Sequence, residues 1–520
     1  MPNLKNLLSN DSGNVLYMTA ISMIPLFAMI GSGVDIGRSY MAQNRLQNAC
    51  DAGVLAARKT QSNNNILQDA SAIEAGEDFF DHNFADGSFG VATGEDTFVL
   101  TRGETPTSVK GTASVNVRNV IMQVFGFEQI AVNVECEADI DAQNTDVMMV
   151  LDTTLSMRTN LNGVRKIDAL KDAVEQFYEI VQAGYVPGRN RIRYGVMPYA
   201  GTVNVGQILI DADPSWVVGA DPNLDTTHEY HTRTWNGSRY DIGPQTLDVS
   251  DYVASIDPLE PQASVPGTQN PTLSSRWTGC IEERATYHVG ANDLFLDTDD
   301  ALDMNIDLAP TSDYDTRWRP FWLDVSRRAN GNAPRTVSNC PDPARKMGEV
   351  LSWDDGTSNS FSSYINNLDM AWGTDQIAGL AWGVRFMSQD GLFAAENATA
   401  PNGQPITRHL VFMTDGELAY HNQTYNIYGM NEADGRFAPT GNNRNAMRSR
   451  GYNRMEFMCD MIKAKGITIW TVEFQNDATV TGSLLDCASS PDHAFPARNA
   501  EELNAAFGSI AQNIAGLRLL

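Results

Sequence analysis

Residues 147–157 read VMMVLDTTLSM, an apolar run that stops at Asp152 and continues with hydroxyls at every second position, Thr154 and Ser156. A chain leaving a strand aims alternate side chains the same way, so an acid and two hydroxyls in this spacing can converge on one ligand. A second apolar run, RHLVFMTDG, ends in Asp415, and a third segment, Gly373-Thr374-Asp375, opens a helical stretch for which Thr374 is also a candidate N-cap. Two carboxylates set side by side repel unless a cation lies between them. Asp152, Thr154, Ser156, Thr374 and Asp415 offer hard oxygen alone, which suits Mg2+, with Mn2+ or Ca2+ as alternatives. Soft metals find no thiolate or imidazole there.

The elements that must position these residues follow from periodicity. DVMMVLD suits a strand buried on both faces, KIDALKDAVEQFYEIVQAG carries apolar residues at i, i+3, i+4 and i+7, and RIRYGVMPYA is a further strand. After about residue 365 the alternation resumes: TDQIAGLAWGVRFMSQDG as a helix, RHLVFMTDG as a strand, RNAMRSRGYNRMEFMCDMIKAKG as one or two helices, ITIWTVEF as a strand and AEELNAAFGSIAQNIAGLRLL as a closing helix. Strands alternating with crossover helices predict an α/β fold with a doubly wound, mostly parallel sheet, whose ligands bind beyond the carboxyl ends of the strands. Between about 201 and 365 the periodicity dissolves, and the stretch is too long for a loop, so it reads as an insertion on the α/β core.

Upstream, TFVLTRGETPTSVKGTASVNVRNVIMQVFGFEQIAVNVECEADI (97–140) alternates β-branched and polar residues and predicts a small antiparallel sheet. ILQDASAIEAGEDFFDHNF before it reads as an amphipathic helix, separated by the QSNNN break at 61–65 from a longer helix. The expected division is therefore 1–60, a transmembrane and stalk helix; 61–144, a helix with a small β-rich module; and 145–520, the α/β domain with its insertion.

The chain has 520 residues, with 37 Lys+Arg against 64 Asp+Glu and a formal charge of -27. That balance repels phosphate backbones and excludes nucleic acid as a partner. No charged residue occurs between Asp11 and Asp35, a length that spans a bilayer's hydrocarbon core as a helix, and Pro25 is tolerated there. Lys5 alone makes a weak n-region, and the apolar stretch exceeds that of a signal peptide, so we expect a retained membrane anchor. Arg38 and Arg45 after the span offset Lys5 before it, and the charge count selects no orientation. Six cysteines without CxxC spacing leave disulfides and buried thiols both open.

Three other signals have bland readings. NDLFLDTDDALDMNIDL (292–308) lacks the Gly and Glu of an EF-hand and reads as a solvated acidic loop. His228 and His231 in HEYH lack zinc-protease spacing and read as surface histidines. The tryptophans of the insertion read as core. No Gly-rich phosphate loop, Ser-His-Asp order or paired catalytic carboxylate stands out, which favours a binding role over an enzymatic one.

DTTLS with Thr374 and Asp415 resembles the metal-ion-dependent adhesion site of von Willebrand factor type A domains, Asp-x-Ser/Thr-x-Ser followed by a distant Thr and a distant Asp-Gly. The resemblance implies that Asp152, Thr154, Ser156, Thr374 and Asp415 hold a metal, which recruits an acidic side chain from a protein partner. GNVLYMTAISMIPLFAMIGSGVDIGRSYMAQNRLQNACDAGVLAA, with WTGCIEER, GTDQIAGLAWG and AFGSIAQNIAGLRLL, resembles TadG-like proteins of the bacterial tight-adherence (Tad, or Flp) pilus-assembly system. This second resemblance implies an inner-membrane, single-pass protein with its body in the periplasm and a partner within the pilus system. Its rival is a minor pilus subunit or tip adhesin at the cell surface. Met18 stands five residues after Gly13, where prepilins of the system carry Glu, so cleavage after Gly13 is not expected. An extracytoplasmic body favours disulfides, Cys280 with Cys340 and Cys459 with Cys487, worth about 2–4 kcal/mol each by loop closure. Cys50 with Cys136 is the weaker pairing.

Overall fold

The computed structural model describes residues 14–520 apart from 61–65, 67–68, 86, 92–95, 104–107, 141–142, 236–237, 239, 258–275, 291–292, 294–295, 323–339, 417, 419, 421–423, 476–479, 516 and 520. The QSNNN break and Gly13 lie outside the described residues. The chain divides into two compact units, 1–141 with 516–520, and 142–515.

In the first unit a single helix, α1 (Asn14–Thr60), runs through Pro25 without ending. Its first part exposes Phe27, Met29, Ile30 and Val34. Its second part turns small and apolar at helical spacing, and Ala42, Leu46, Ala49, Cys50, Val54 and Ala57 are buried. They pack with α2 (Ala70–Asn83) and an antiparallel sheet of β1 (Thr97–Arg102), β2 (Val109–Arg118) and β3 (Gln129–Ile140). Residues of β2 alternate inward and outward, as the period-2 pattern requires. Cys50 is disulfide-bonded to Cys136, tying α1 to β3, although this pairing was the weaker expectation. The closing helix stops earlier than expected, at Ala515, and Leu517–Leu519 form a strand against Ala138–Ile140 of β3. The glycine at 516 is the residue type favoured just past a helix end.

The second unit is built on a six-stranded sheet. Its elements in chain order are β4 (Asn144–Asp152), α3 (Lys166–Gln182), β5 (Ile192–Tyr199), β6 (Arg345–Glu349), α4 (Gln376–Met387), β7 (Ile406–Thr414), α5 (Arg444–Ala464), β8 (Thr468–Phe474), β9 (Ala494–Ala497) and α6 (Ala500–Ala515). The strand order is β6-β5-β4-β7-β8-β9, parallel throughout except for the edge strand β6. This is the doubly wound, mostly parallel α/β sheet expected from the alternation. All nine residues of β4 are buried because β5 and β7 flank it and both faces are covered. Val147, Met149 and Leu151 face α3 and α6, whereas Met148 and Val150 face α4, α5 and residues of the long intervening segment.

That segment supplies much of one core layer, since Trp277, Trp318 and Trp322 are buried with Trp382 of α4. It also brings charge inside. Glu283 accepts hydrogen bonds from Arg385 Nη1 at 2.6 Å, Trp382 Nε1 at 2.8 Å and Trp318 Nε1 at 3.1 Å. The segment holds Cys280 bonded to Cys340, and further along the chain Cys459 of α5 is bonded to Cys487. Two expectations are corrected here. The run at 292–308 is only partly solvated: Asp293 pairs with Arg450 and Arg454, and Asp303 with Arg454 at 2.8 Å, all four being buried. His228 is buried between Tyr314 and Glu282, and His231 is bonded to Asp434 at 2.7 Å, so neither is a free surface histidine. A local acidic pattern carries no information on the arginines 150 residues away that neutralise it.

Helix α4 crosses close above the strands through Gly379, where an added Cβ would stand 2.7 Å from Tyr199 Cδ1 and 2.8 Å from Cγ. Gly379→Ala therefore displaces the Tyr199 ring. Overpacking costs about 1–3 kcal/mol, against at most about 1 kcal/mol regained in helix propensity. We expect a lower melting temperature for Gly379→Ala by circular dichroism, and an unchanged or raised one would contradict this packing.

Candidate functional site

The strand order reverses between β4 and β7, which follow one another in space but not in sequence. Ligands of open parallel sheets bind at such a switch point, beyond the carboxyl ends of the strands. Asp152 ends β4, and Asp415 follows β7 directly.

Asp152 is fully buried, and both its carboxylate oxygens accept hydrogen bonds from nearby groups. Its Oδ1 accepts the Thr154 N–H at 2.9 Å, an Asx-type turn that swings the chain so that Thr154 and Ser156 come round together. Its Oδ2 accepts from Thr414 Oγ1 at 2.9 Å, and from the Tyr199 hydroxyl and the Asp415 N–H at 3.3 Å each. The two hydroxyls meet, Thr154 Oγ1 to Ser156 Oγ, at 2.7 Å, and Ser156 Oγ donates to Asp415 Oδ1 at 2.6 Å. Four of the five expected residues are thus joined by hydrogen bonds, Thr154, Ser156 and Asp415 through side-chain oxygens and Asp152 through the Thr154 and Asp415 N–H groups. Ser156 is its exposed member.

Thr374 reaches the same rim through the backbone. The Ala371 N–H donates to Thr153 O at 2.8 Å, the Gly201 N–H to Trp372 O at 3.0 Å and the Asp375 N–H to Ala200 O at 2.8 Å. This stitching holds segment 371–375 across the exits of β4 and β5. Gly373 makes it possible, with φ +95° and with Gly201 Cα 2.7 Å from where a Cβ would stand. Among the described residues the Thr374 hydroxyl makes no hydrogen bond to the other four. Nor does Thr374 cap α4. Asp375 does, accepting the Ala378 N–H at 3.1 Å, because the helix begins at Gln376 and places Asp375 at the capping position.

Three residues at the site were not anticipated from sequence. Lys166, the first residue of α3, reaches Asp415 Oδ2 with Nζ at 3.0 Å and is itself buried. Thr414 and Tyr199 hold Asp152 from below. The only local hint is that Thr414 precedes Asp415. Lys166 lies 249 residues away and carries no signature.

The charge balance is two carboxylates against one ammonium. Burial, and then the neighbouring charge of Asp415, push the Asp152 carboxyl up to about 6. The same burial, with Asp152 beside it, keeps the Tyr199 phenol well above its ordinary value. Among the described residues no group of three or more His, Cys, Asp or Glu side chains is placed to hold a metal ion, so a bound cation here would draw on two carboxylates and on hydroxyls. An oxygen-only set short of one positive charge fits a hard divalent ion and does not fit zinc-type thiolate or imidazole coordination.

Residues 13–61 match the family model described as "Putative Flp pilus-assembly TadE/G-like". No curated protein matches the chain. Among solved structures, the pilus adhesin SpaC from Lactobacillus rhamnosus GG is 11% identical with a TM-score of 0.34, over 81% of this chain and 34% of that one. The chain thus corresponds to about a third of that adhesin's length. The von Willebrand factor domain of the type V pili tip protein Mfa5 from Porphyromonas gingivalis is 11% identical, TM-score 0.31, over 72% and 95% of the two chains. A von Willebrand factor type A protein from Catenulispora acidiphila is 10% identical, TM-score 0.26, over 81% and 50%.

The raised Asp152 carboxyl fixes a pH dependence. The folded protein holds this proton up to about pH 6, whereas an unfolded Asp releases it near its ordinary value of 3.8. The stabilisation is complete below the unfolded value and is lost as pH rises through about 6. In chelator, we expect the melting temperature to carry a downward component between about pH 4 and 7 that Asp152→Asn removes. Identical pH profiles for the two proteins would refute the assignment.

Proposed function

We propose that the chain is a membrane-anchored, extracytoplasmic component of a Tad-type pilus system that binds a protein partner through a metal-ion-dependent adhesion site. The observation that carries this reading is the convergence of Asp152, Thr154, Ser156 and Asp415 at the switch point of the sheet. The pilus context is supported by the family match at residues 13–61. The anchor is supported by a helix long and apolar enough to cross a membrane, and a periplasmic body is part of the proposal. Its division into anchor (1–60), β-rich module (61–144) and site-bearing domain (145–520) belongs to the same proposal.

Asp152, Thr154, Ser156, Thr374 and Asp415 would hold Mg2+, or in its place Mn2+ or Ca2+. When bound, the ion supplies an open coordination position for a carboxylate oxygen of another pilus component. The protein's own part is to keep those oxygens together and to exclude water from Asp152. Lys166 sets the residual charge: its ammonium occupies one carboxylate oxygen of Asp415 and weakens the site's pull on a second cation.

Isothermal titration of the purified protein with Mg2+, Mn2+ and Ca2+ tests the site. Heat that saturates in the native protein and vanishes in Asp152→Ala is expected, and its absence in the native protein overturns the mechanism. Lys166→Met is expected to tighten ion binding about tenfold, the equivalent of ~1.4 kcal/mol of relieved repulsion. Weaker binding in that variant would mean that Lys166 helps to build the site. Recovery of the chain in sheared pili instead of the inner membrane would replace the assembly role with that of a minor subunit or tip adhesin.

A further inference from the structure

The first unit carries an apolar tip that its own fold leaves uncovered. Between Arg118 and Glu128 the chain reads NVIMQVFGF, without a charge, and turns from β2 into β3. Val120, Val124, Phe125 and Phe127 are 53, 81, 37 and 61% exposed. Contiguous apolar exposure of this kind marks an interaction surface when the segment is held in place. This one is held. The Asp35 carboxylate of α1 accepts the N–H groups of Val120, Ile121 and Met122 at 2.9, 3.0 and 2.8 Å. At the neck, the Asn119 N–H donates to Glu128 O at 2.9 Å and its side-chain amide to Phe127 O at 3.0 Å.

The tip's position along α1 identifies its partner. Asp35 is the first charged residue after the apolar span, about 27 Å along the helix from Tyr17 at ~1.5 Å per residue, close to the thickness of a hydrocarbon core. Ile121 does not pack beside Asp35 alone. It reaches Gly31, about one turn farther toward the apolar end, where a Cβ would stand 2.5 Å from Ile121 Cγ2. The tip therefore lies against the same helix that exposes Phe27, Ile30 and Val34, and Arg118 stays exposed at the neck.

We propose that the β2–β3 tip is a second membrane contact that dips into the headgroup and acyl boundary of the bilayer that α1 crosses. It rests on the reading of α1 as a membrane anchor. Val124, Phe125 and Phe127 enter the interface, Arg118 faces the headgroups, and Asp35 fixes the depth of the tip relative to the helix. Two contacts a few residues apart in space constrain the tilt and rotation of the unit on the membrane as one helix cannot.

The test uses the full-length, disulfide-intact protein in vesicles of phosphatidylcholine and phosphatidylglycerol, with one added cysteine carrying an environment-sensitive nitrobenzoxadiazole label. Sites are Val124→Cys in the tip, Phe27→Cys in the span and Val99→Cys as a solvent control. Val99 pairs with Thr112, six residues back along β2 from Arg118 or about 20 Å at ~3.4 Å per residue. The tip probe is expected to shift to the blue and to lose about half its emission to nitroxide-labelled lipid, as for segments seated ~5–10 Å into the interface. The control is expected to do neither. A tip probe that behaves as Val99→Cys, beside a quenched Phe27→Cys probe, overturns the second contact and leaves the anchor standing. It would point to a protein partner for the tip. An unquenched Phe27→Cys probe overturns both.

Discussion

Two carboxylates at the ends of adjacent parallel strands cannot both be charged and buried without a cation, and the second unit is organised around that constraint. β4 and β7 are neighbours in register, so Asp152 and Asp415 are brought within reach of each other by the sheet itself. The fold answers with hydrogen bonds from Thr414, Tyr199 and Thr154 to one carboxylate and with Lys166 on the other. The answer is incomplete by one charge. Burial first, and that deficit second, raise the Asp152 carboxyl, and a divalent ion is the species that would remove the deficit.

The same logic recurs away from the rim with a complete answer. Asp293 and Asp303 are paired with Arg450 and Arg454 of α5, Glu283 with Arg385 of α4, and Asp146 with Arg193. The pairs of Asp293, Asp303 and Glu283 join the long segment after β5 to α4 and α5 and fix where it lies, whereas Asp146 and Arg193 join the adjacent strands β4 and β5. Buried pairs of this kind contribute less to net stability than to a single arrangement, because breaking one strands a charge in the core. The contrast between these neutralised acids and the under-neutralised rim separates structural carboxylates from the candidate ligands.

The first unit shows a related device on a smaller scale. Asp35 is buried against three backbone N–H groups, with Arg38 Nη1 4.0 Å away, which turns a carboxylate into a clamp on an apolar loop. Cys50–Cys136 fixes the other end of the same helix to the sheet. Sequence hydropathy marked the apolar span of α1 but not the uncharged NVIMQVFGF, which reads as ordinary strand and turn until its exposure is seen.

The sequence by itself determined the α/β class, the central strands and four of the five oxygens at the rim, because hydrophobic periodicity and D-x-T-x-S spacing are local properties. It also marked the small antiparallel sheet and the membrane-length helix. Tertiary structure alone decided that Lys166 belongs to the site, that Asp375 and not Thr374 caps α4, that His228, Asp293 and Asp303 are buried, and that the last residues leave the closing helix to pair with β3. All of these except the local Asp375 cap depend on a partner tens to hundreds of residues away. No local pattern encodes such a partner, whereas burial and charge neutralisation in the folded chain select it.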